Sequence, residues 1–399
     1  MQDLRQQLME GQADVPRVGT LVQMEGRFPP CLVRDAAGHE VEPITQYLRD
    51  LALSDMSPLT CRSYGYDLQR WFRVLWALDI GWEEATGAEA DVLVGWMKST
   101  RNPQRRRTRP GQTAPGTVNI RTGKPALAAR YAPTTINHTL TVVHGFYTFH
   151  AHYGRGPEAN PIPSSRERRA ALAHRSPIER RPTFRRARLR QRVPEAIPRA
   201  IPDQLWDELF AAMTCDRDRA LLLFYVSSGA RASELLGACI EDVDWAGMRV
   251  YVISKGTRAR QAVPASPEAF RYLASYLDQE GTPAPGQPLW RTRRGQARAL
   301  SYWAMRRVMQ RANDHLGTNW TLHDLRHTAA TRMANDPKMT LTEVQTILRH
   351  AGIETTGRYT KVRLEDLVDK LAEHYERPRP QRSYTPGYDL EDIKAVFGG

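Results

Sequence analysis

The chain alternates stretches of helical periodicity with stretches rich in proline and glycine. From Ser57 onward, apolar residues recur at intervals of three and four, the spacing of one face of an α-helix. Ser57 followed by Pro58 is a favoured helix start, because serine caps free amides and proline suits the first helical position. The same periodicity recurs in "TTINHTLTVVHGFYTFH". These patterns predict an all-helical domain over residues 43–160.

A second series of helical patterns begins at about residue 200 and continues to residue 378. Two short segments, "MRVYVI" and "RQAVPA", interrupt it and predict an antiparallel hairpin around the turn "SKGTRA". Further helices are predicted in "HDLRHTAATRMA" and "TLTEVQTILRHAG". The expected fold class is therefore mainly α in two domains, the second being mixed α/β but mostly helical with a small antiparallel sheet.

The remaining segments have weak periodicity and are assigned from composition. Proline and glycine interrupt the first part of the chain, which has no assigned role, and a short amphipathic ending closes the last part. The predicted organisation is an N-terminal extension over 1–42, a helical domain over 43–160, a linker over 161–199, a second domain over 200–378 and a C-terminal tail over 379–399.

Composition limits the classes of protein to which the chain can belong. A chain of 399 residues favours two domains over one, and a net charge of +13 indicates a polyanionic partner, nucleic acid ahead of a membrane surface. No apolar run of membrane-spanning length and no signal-peptide core is found, so we expect a soluble, cytoplasmic, nucleoid-associated protein. The four cysteines lie far apart without a CxxC pair, which argues against a disulfide framework and a cysteine zinc site.

Much of the positive charge lies in the linker. Residues 161–200 contain twelve arginines, no lysine and three glutamates, a net charge of +9. Such a segment is either a solvated linker or an extended segment that follows a phosphate backbone, and the basic character of the whole chain favours the second alternative. A second basic loop, "RNPQRRRTRPGQTAPG", interrupts the first domain. The predicted DNA contacts are Arg105, Arg106, Arg107, Arg180, Arg181, Arg185, Arg186 and Arg188.

Four short segments carry candidate chemistry, although each has an ordinary structural explanation when taken alone. In "SSGARASELLG", Arg231 stands at a turn into a helix, where an ion pair with Glu234 would explain it. In "ISKGTRARQAV", Lys255 lies at the tip of the predicted hairpin, where a lysine is normally solvated.

The segment "HDLRHT" places His323 and Arg326 on one face of a helix. His323 and His327 also have the spacing of an HExxH zinc helix. Asp324 stands where that motif needs its glutamate, however, and Arg326 would repel a cation. The sequence therefore predicts no metal site, and a zinc hydrolase is rejected.

In "LRHAGIETTGRYTKV", His350 follows a predicted helix and Tyr359 lies nine residues further on. The ordered set of candidates is Arg231, Lys255, His323, Arg326, His350 and Tyr359. This order, with the boxes "GARASELL", "HDLRHTAATRM" and "TTGRYTKV", resembles the tyrosine site-specific recombinases, the phage integrase family, over residues 200–378. Two features depart from the family pattern: Arg349 stands where a glycine is usual, and the spacing from Arg326 to His350 is about one residue longer.

The resemblance implies an enzyme that breaks and rejoins DNA through a tyrosine. Tyr359 would be the nucleophile that attacks a phosphodiester. Arg231 and Arg326 would stabilise the charge that its non-bridging oxygens gain in the transition state. The product would be a 3′-phosphotyrosyl link with a free 5′ hydroxyl, formed without a cofactor, ATP or metal ion.

The resemblance also implies roles for the other three candidates. His350 would donate a hydrogen bond to a non-bridging oxygen, and His323 would assist proton transfer from the tyrosine as a general base. Lys255 would protonate the departing 5′ oxygen. The fold implied is a helical core-binding domain and a catalytic domain that form a C-shaped clamp on DNA.

The implied partners are double-stranded DNA at a specific recombination site and further copies of the chain. A monomer or dimer would form a homo-tetramer on DNA, the tail being a candidate exchange segment between protomers, and accessory recombination proteins are further candidates. The basic loop and long linker favour an integrase or transposase of a mobile element. The alternatives are a recombinase that resolves chromosome or plasmid dimers, a type IB topoisomerase, and an inactive DNA-binding descendant.

Overall fold

The structure is a computed structural model that describes residues 2–24, 26, 28–103, 114–162, 187–194, 199–254, 258–350, 352–357, 359, 375, 391 and 395. Several residues predicted to bind DNA or act in catalysis lie outside this described part: Lys255, Arg105, Arg106, Arg107, Arg180, Arg181, Arg185 and Arg186. The chain divides into two compact units. The first contains Met1–Glu195 with Gly317–Asn319, and the second contains Ala196–Leu316 with Trp320–Gly399.

Among the described residues, the first unit is built around four helices of twelve or more residues that follow a short N-terminal helix and a small two-stranded sheet. Its elements are α1 (Gln2–Glu10), β1 (Thr20–Gln23), β2 (Cys31–Arg34), α2 (Glu42–Leu53), α3 (Pro58–Leu78), α4 (Gly87–Ser99) and α5 (Pro133–His152). Strands β1 and β2 are antiparallel. The predicted start of α3 is confirmed, because Ser57 Oγ accepts a hydrogen bond from the Thr60 amide at 3.2 Å.

The sequence predicted an N-terminal extension of unknown role over 1–42, and the described residues of this segment pack within the first unit. Leu8, Val15 and Val33 are buried in the same apolar cluster as the helix residues Trp71 and Phe146. Their elements are too short to show periodicity, and tertiary packing holds them in place. Helix α1 lies against α4 so closely that a Cβ on Gly95 would come within 2.8 Å of the Met9 side chain.

The second unit is mainly helical with a three-stranded sheet. Its elements are α6 (Asp203–Ala211), α7 (Asp216–Ser228), α8 (Ala232–Leu236), β3 (Val243–Asp244), β4 (Arg249–Ile253), β5 (Arg260–Pro264), α9 (Pro267–Glu280), α10 (Tyr302–Leu316), α11 (Leu322–Ala334), α12 (Leu341–Leu348) and α13 (Ile353–Gly357). The predicted hairpin is β4–β5, with Val250 opposite Val263, and β3 pairs with the other edge of β4. The expected mainly α fold class with a small antiparallel sheet is confirmed.

Two apolar clusters organise the second unit. The larger one surrounds α7, whose Phe224 and Tyr225 are fully buried, and it extends to α9, α10 and α11. The smaller one joins Val344 and Leu348 of α12 to Tyr359 and to α11. The end of α7, the face of α11 and the end of α12 thereby meet at one place. Among the described residues, no helix is long and apolar enough to span a membrane, and all four cysteines are free.

Candidate active site

The predicted catalytic residues that the structure describes lie together around the smaller apolar cluster. Helix α7 ends at Gly229, which has a positive φ of 61°, and the chain then turns into α8 at Arg231. Two features favour glycine at position 229. The left-handed conformation suits glycine, and a Cβ there would lie 2.4 Å from Leu348 Cδ2. The "GAR" sequence therefore brings the end of α7, the start of α8 and the end of α12 into contact.

Arg231 is held by a buried carboxylate. Its backbone amide donates to Glu234 Oε2 at 2.9 Å and its Nη1 donates to Oε1 at 2.8 Å. Burial acts to raise the pKa of Glu234, but hydrogen bonds from Arg231 and the charges of Arg349 and Arg231 lower that pKa below its ordinary value. Glu234 is therefore ionised at neutral pH. The Arg231 side chain remains 32% exposed, so its guanidinium is accessible.

Arg326 on α11 is buried and fixed by two backbone carbonyls. Its Nη1 donates to the Gly229 carbonyl, and its Nη2 donates to the Leu348 carbonyl at 2.6 Å. Burial, followed by the charges of Arg231 and Arg349, lowers the Arg326 pKa to about 10. The group stays cationic at neutral pH. A guanidinium has five N–H donors, so the remaining ones are available to a ligand while the two carbonyls set its orientation.

His350 follows the end of α12 and is oriented by a threonine. Its Nδ1 lies 2.9 Å from Oγ1 of Thr356, which is fully buried on α13. Burial, together with the charges of Arg326, Arg231 and Arg349, lowers the His350 pKa to about 4. The imidazole is therefore neutral at neutral pH. The ring lies parallel to that of Tyr359, with centroids 6.2 Å apart.

Tyr359 is 8% exposed, and its hydroxyl contacts a histidine that the sequence suggested only as a zinc ligand. The Oη atom lies 2.8 Å from Nδ1 of His327. His323 is the next residue along this face, and its ring centroid is 4.2 Å from that of His327. The backbone amide of Tyr359 donates to the Thr356 carbonyl at 3.0 Å. Thr356 thus fixes both the His350 ring and the Tyr359 backbone.

Arg349 is a further member of the site that the sequence showed only as a departure from the family pattern. It ends α12 in the left-handed conformation, with φ 54° and ψ 47°. This conformation costs a residue other than glycine about 1–2 kcal/mol. Its Nη2 contacts Glu234 Oε2 at 2.6 Å, and its Nη1 donates to the Ile347 carbonyl at 3.1 Å. The signal in the sequence was the missing glycine, but nothing local indicated the partner.

Lys255 and Arg188 are two predicted residues that the contacts above do not include. Lys255 lies outside the described residues, although the base of its hairpin is closed by a hydrogen bond from the Ser254 amide to the Ala259 carbonyl at 2.9 Å. Arg188 belongs to the first unit. Its Nη2 contacts both carboxylate oxygens of Asp91, at 2.7 and 2.5 Å. The structure therefore pairs this predicted DNA contact with a carboxylate.

The arrangement suits attack on a phosphate by a phenol. Three guanidinium groups and one carboxylate leave the pocket with net positive charge, which stabilises a phosphate that gains negative charge during reaction. A nitrogen base lies within hydrogen-bond reach of the Tyr359 hydroxyl, as nucleophile activation requires.

Comparison with known proteins agrees with this chemistry. Residues 203–365 match the model of the phage integrase family. This part of the chain is a phage integrase family domain. It contains all of α6 to α13, and with them every described residue of the candidate site.

Curated relatives of this integrase domain are tyrosine recombinases. The chain is 35% identical over 167 residues to the tyrosine recombinase XerC of Pelobacter propionicus, which covers 41% of this chain and 53% of the relative. It is 34% identical over 167 residues to the tyrosine recombinase XerD of Pseudomonas aeruginosa, which covers 40% of this chain and 55% of the relative. The chain thus spans about half the length of the curated relatives it matches.

Solved structures extend the likeness beyond the integrase domain. A lambda integrase dimer bound to a core site has a TM-score of 0.54 and 14% identity, covering 86% of this chain and 98% of that chain. The Tn1549 transposon integrase in complex with circular intermediate DNA has a TM-score of 0.52 and 13% identity, covering 82% and 98%. At this level of identity the likeness shows the fold alone.

Proposed function

We propose that the chain is a site-specific DNA recombinase that breaks and rejoins strands through a 3′-phosphotyrosyl link to Tyr359. One observation carries the proposal: the buried hydroxyl of Tyr359 contacts His327 in a pocket that also holds the Arg326 guanidinium and His350. A phenol next to both a base and a phosphate-binding cation is equipped for nucleophilic phosphoryl transfer.

Binding of the phosphate is assigned to Arg231, Arg326 and His350. The two arginines neutralise the non-bridging oxygens, and the carbonyl contacts of Arg326 keep it oriented before DNA arrives. His350, neutral at neutral pH, donates from Nε2 when the Thr356 hydroxyl donates to Nδ1. In that tautomer His350 can bind an oxygen of the phosphate.

Proton removal from Tyr359 is assigned to His327 rather than to His323. The hydroxyl oxygen lies 2.8 Å from His327 Nδ1, and in the tautomer that leaves Nδ1 unprotonated a proton can transfer directly across this distance. His323, whose ring stands at the edge of His327, supports that ring. Lys255 remains the proposed general acid for the 5′ leaving oxygen, on the strength of its place in the ordered set.

The biological role that fits best is resolution of chromosome or plasmid dimers. The relatives quoted above are XerC and XerD recombinases at 34–35% identity, whereas the transposon and phage integrases resemble the chain in fold alone. The expected mobile-element role is therefore less well supported than its alternative. A supercoiled plasmid with two direct copies of the target site distinguishes resolution from the activity of a type IB topoisomerase: resolution gives two circles, and a topoisomerase gives relaxed circles even without the site.

DNA is the proposed partner, as a duplex that carries a recombination site. Because the phosphotyrosyl bond conserves the energy of the broken phosphodiester, neither ATP nor a metal ion is needed, and activity should persist in EDTA. A homo-tetramer on two duplexes is proposed for strand exchange. Cross-linking on DNA would show four subunits for a recombinase and one for a topoisomerase.

The decisive experiment uses a suicide DNA with a nick beside the scissile phosphate. The native protein should form a covalent protein–DNA adduct, and Tyr359→Phe should form none while binding the same DNA equally well. Tyr375→Phe, a change at an exposed position, is the matched control and should form the adduct normally. An adduct that persists in Tyr359→Phe would show that another residue is the nucleophile.

A further inference from the structure

Arg349 holds a backbone conformation that its residue type disfavours. At the end of α12 its φ and ψ are 54° and 47°, angles that glycine adopts readily. Asp79 at the end of α3 has nearly the same angles, 54° and 48°, but is exposed. Backbone strain of this kind persists where the surrounding contacts hold the residue in place. The contacts of the Arg349 side chain should therefore explain why this conformation is kept.

The Arg349 side chain is buried against the carboxylate that also holds Arg231. It is 8% exposed, its Nη2 lies 2.6 Å from Glu234 Oε2, and its Nε is buried without an acceptor among the described residues. Burying an unpartnered N–H incurs a desolvation cost that a glycine at this position would avoid. A purely space-filling role does not account for a charged side chain that is both strained and incompletely bonded.

Glu234 would otherwise compensate the charge of Arg231. It binds Arg231 through both carboxylate oxygens, and the pair taken alone carries no net charge. With Arg349 bound to the same carboxylate, the three groups carry one net positive charge, and Arg326 adds a second. The charge of Arg349 acts on both Arg326 and His350, since it contributes to lowering the pKa of each.

We propose that Arg349 is a positioning residue of the phosphate pocket, which binds Glu234 and offsets its charge so that Arg231 attracts the scissile phosphate. The inference rests on the proposed function of Tyr359. It assigns to a position where the family usually has glycine an electrostatic role specific to this chain. Arg349 acts through Glu234 and Arg231 and does not itself contact the phosphate.

The first test replaces Arg349 with glycine, which fits the left-handed conformation and should fold normally by circular dichroism. At saturating suicide DNA, adduct formation should slow by about tenfold, less than the 10²–10³-fold loss typical of removing a direct donor. Arg349→Lys should recover most of the rate. Asp79→Gly, which relieves the same backbone strain in the first unit, should leave the rate within about twofold of the native protein.

A double-mutant cycle tests whether Arg349 acts through the carboxylate. In a Glu234→Gln background there is no charge to offset, so the added Arg349→Gly change should cost little. An equal fold-loss in both backgrounds would overturn the proposal. An unchanged rate for Arg349→Gly in the Glu234 background would overturn it as well.

A readout without DNA separates this inference from the proposed function. The groups that face His350 are the guanidinium groups of Arg231, Arg326 and Arg349, the Thr356 hydroxyl and the Tyr359 ring. Following the His350 ring by NMR across a pH titration, Arg349→Gly should raise its pKa above the native value of about 4. An unchanged pKa would contradict the electrostatic role. Failure of the native protein to form an adduct would instead contradict the function proposed for Tyr359.

Discussion

Tyr359 differs from the packing tyrosines of the same unit in the group that its hydroxyl contacts. Tyr225 and Tyr276 are fully buried, and each donates to a backbone carbonyl, at 3.3 and 3.1 Å. A carbonyl accepts a hydrogen bond but takes no proton at neutral pH. The hydroxyl of Tyr359 contacts an imidazole nitrogen, which can take a proton at neutral pH. The reactivity proposed for this residue therefore comes from its partner and from the cations around it.

At this scale the assignment of the base can be tested directly. His327→Asn keeps a hydrogen-bonding side chain near the Tyr359 hydroxyl but removes the basic nitrogen. Adduct formation on suicide DNA should slow by about 10²-fold or more, the contribution typical of a general base, with DNA affinity unchanged. Single-turnover gels and filter binding measure the two quantities.

Two other histidines provide the comparison for His327→Asn. His323→Asn should slow the reaction less than His327→Asn, because His323 stands behind the ring that contacts Tyr359. His315→Asn, at an exposed position of α10, should have no effect. A larger loss for His323→Asn than for His327→Asn would return the role of general base to His323, as the family resemblance implied.

At the scale of elements, the long helices and the β4–β5 hairpin could be predicted from sequence, and the shortest elements could not. Helix α3 begins where Ser57 predicted, and Ser266 caps α9 in the same way, each serine accepting a hydrogen bond from an amide three residues on. Helices α8 and α13 have five residues each and β3 has two, too few for a period to show. Tertiary contacts determine these elements.

The candidate site could also be predicted only in part from the sequence. The order of the six candidates was visible because it matches a family pattern. The contacts of His327 with Tyr359 and of Arg349 with Glu234 join residues 32 and 115 positions apart, so no local pattern could reveal them. The Arg231–Glu234 ion pair, three residues apart, was visible as an alternative and is present. Sequence therefore indicated the chemistry, and the structure showed which groups act on one another.

The turn that joins α7 to the site should tolerate no side chain. Gly229→Ala would place a Cβ 2.4 Å from Leu348 and force a left-handed conformation on alanine. The expected loss in the free energy of unfolding is about 2–4 kcal/mol, the combined cost of backbone strain and overpacking. Urea denaturation followed by tryptophan fluorescence measures it.

A second glycine separates the two causes of that loss. Gly281, after α9, has a φ of 79° but nothing within 4 Å of an added Cβ. Gly281→Ala should therefore incur only the backbone strain of its own conformation, φ 79° and ψ 145°, about 1–3 kcal/mol. A loss for Gly229→Ala no larger than that for Gly281→Ala would show that the clash of the added Cβ with Leu348 contributes nothing to the destabilisation.

At the scale of the whole chain, positive charge is concentrated in a stretch of sequence that contains none of the catalytic candidates. Residues 161–200 carry +9 of the total +13, so most of the attraction for a polyanion is expected there. Phosphate contacts set affinity without reading sequence, which leaves target choice to other residues. Arg188 is an exception within the segment, since Asp91 already neutralises it.

The salt dependence of DNA binding measures this contribution. Replacing Arg180, Arg181, Arg185 and Arg186 together with glutamine should make the slope of log K against log[salt] less negative by about 3–4, because each phosphate that an arginine neutralises contributes about −0.9 to the slope. Arg188→Gln should change the slope by less than about 0.5 if Asp91 already holds that guanidinium. A fluorescence-anisotropy titration at several salt concentrations would give both slopes. If the fourfold variant keeps the native slope, the linker does not follow the DNA backbone, and other basic residues of the chain must account for the salt dependence.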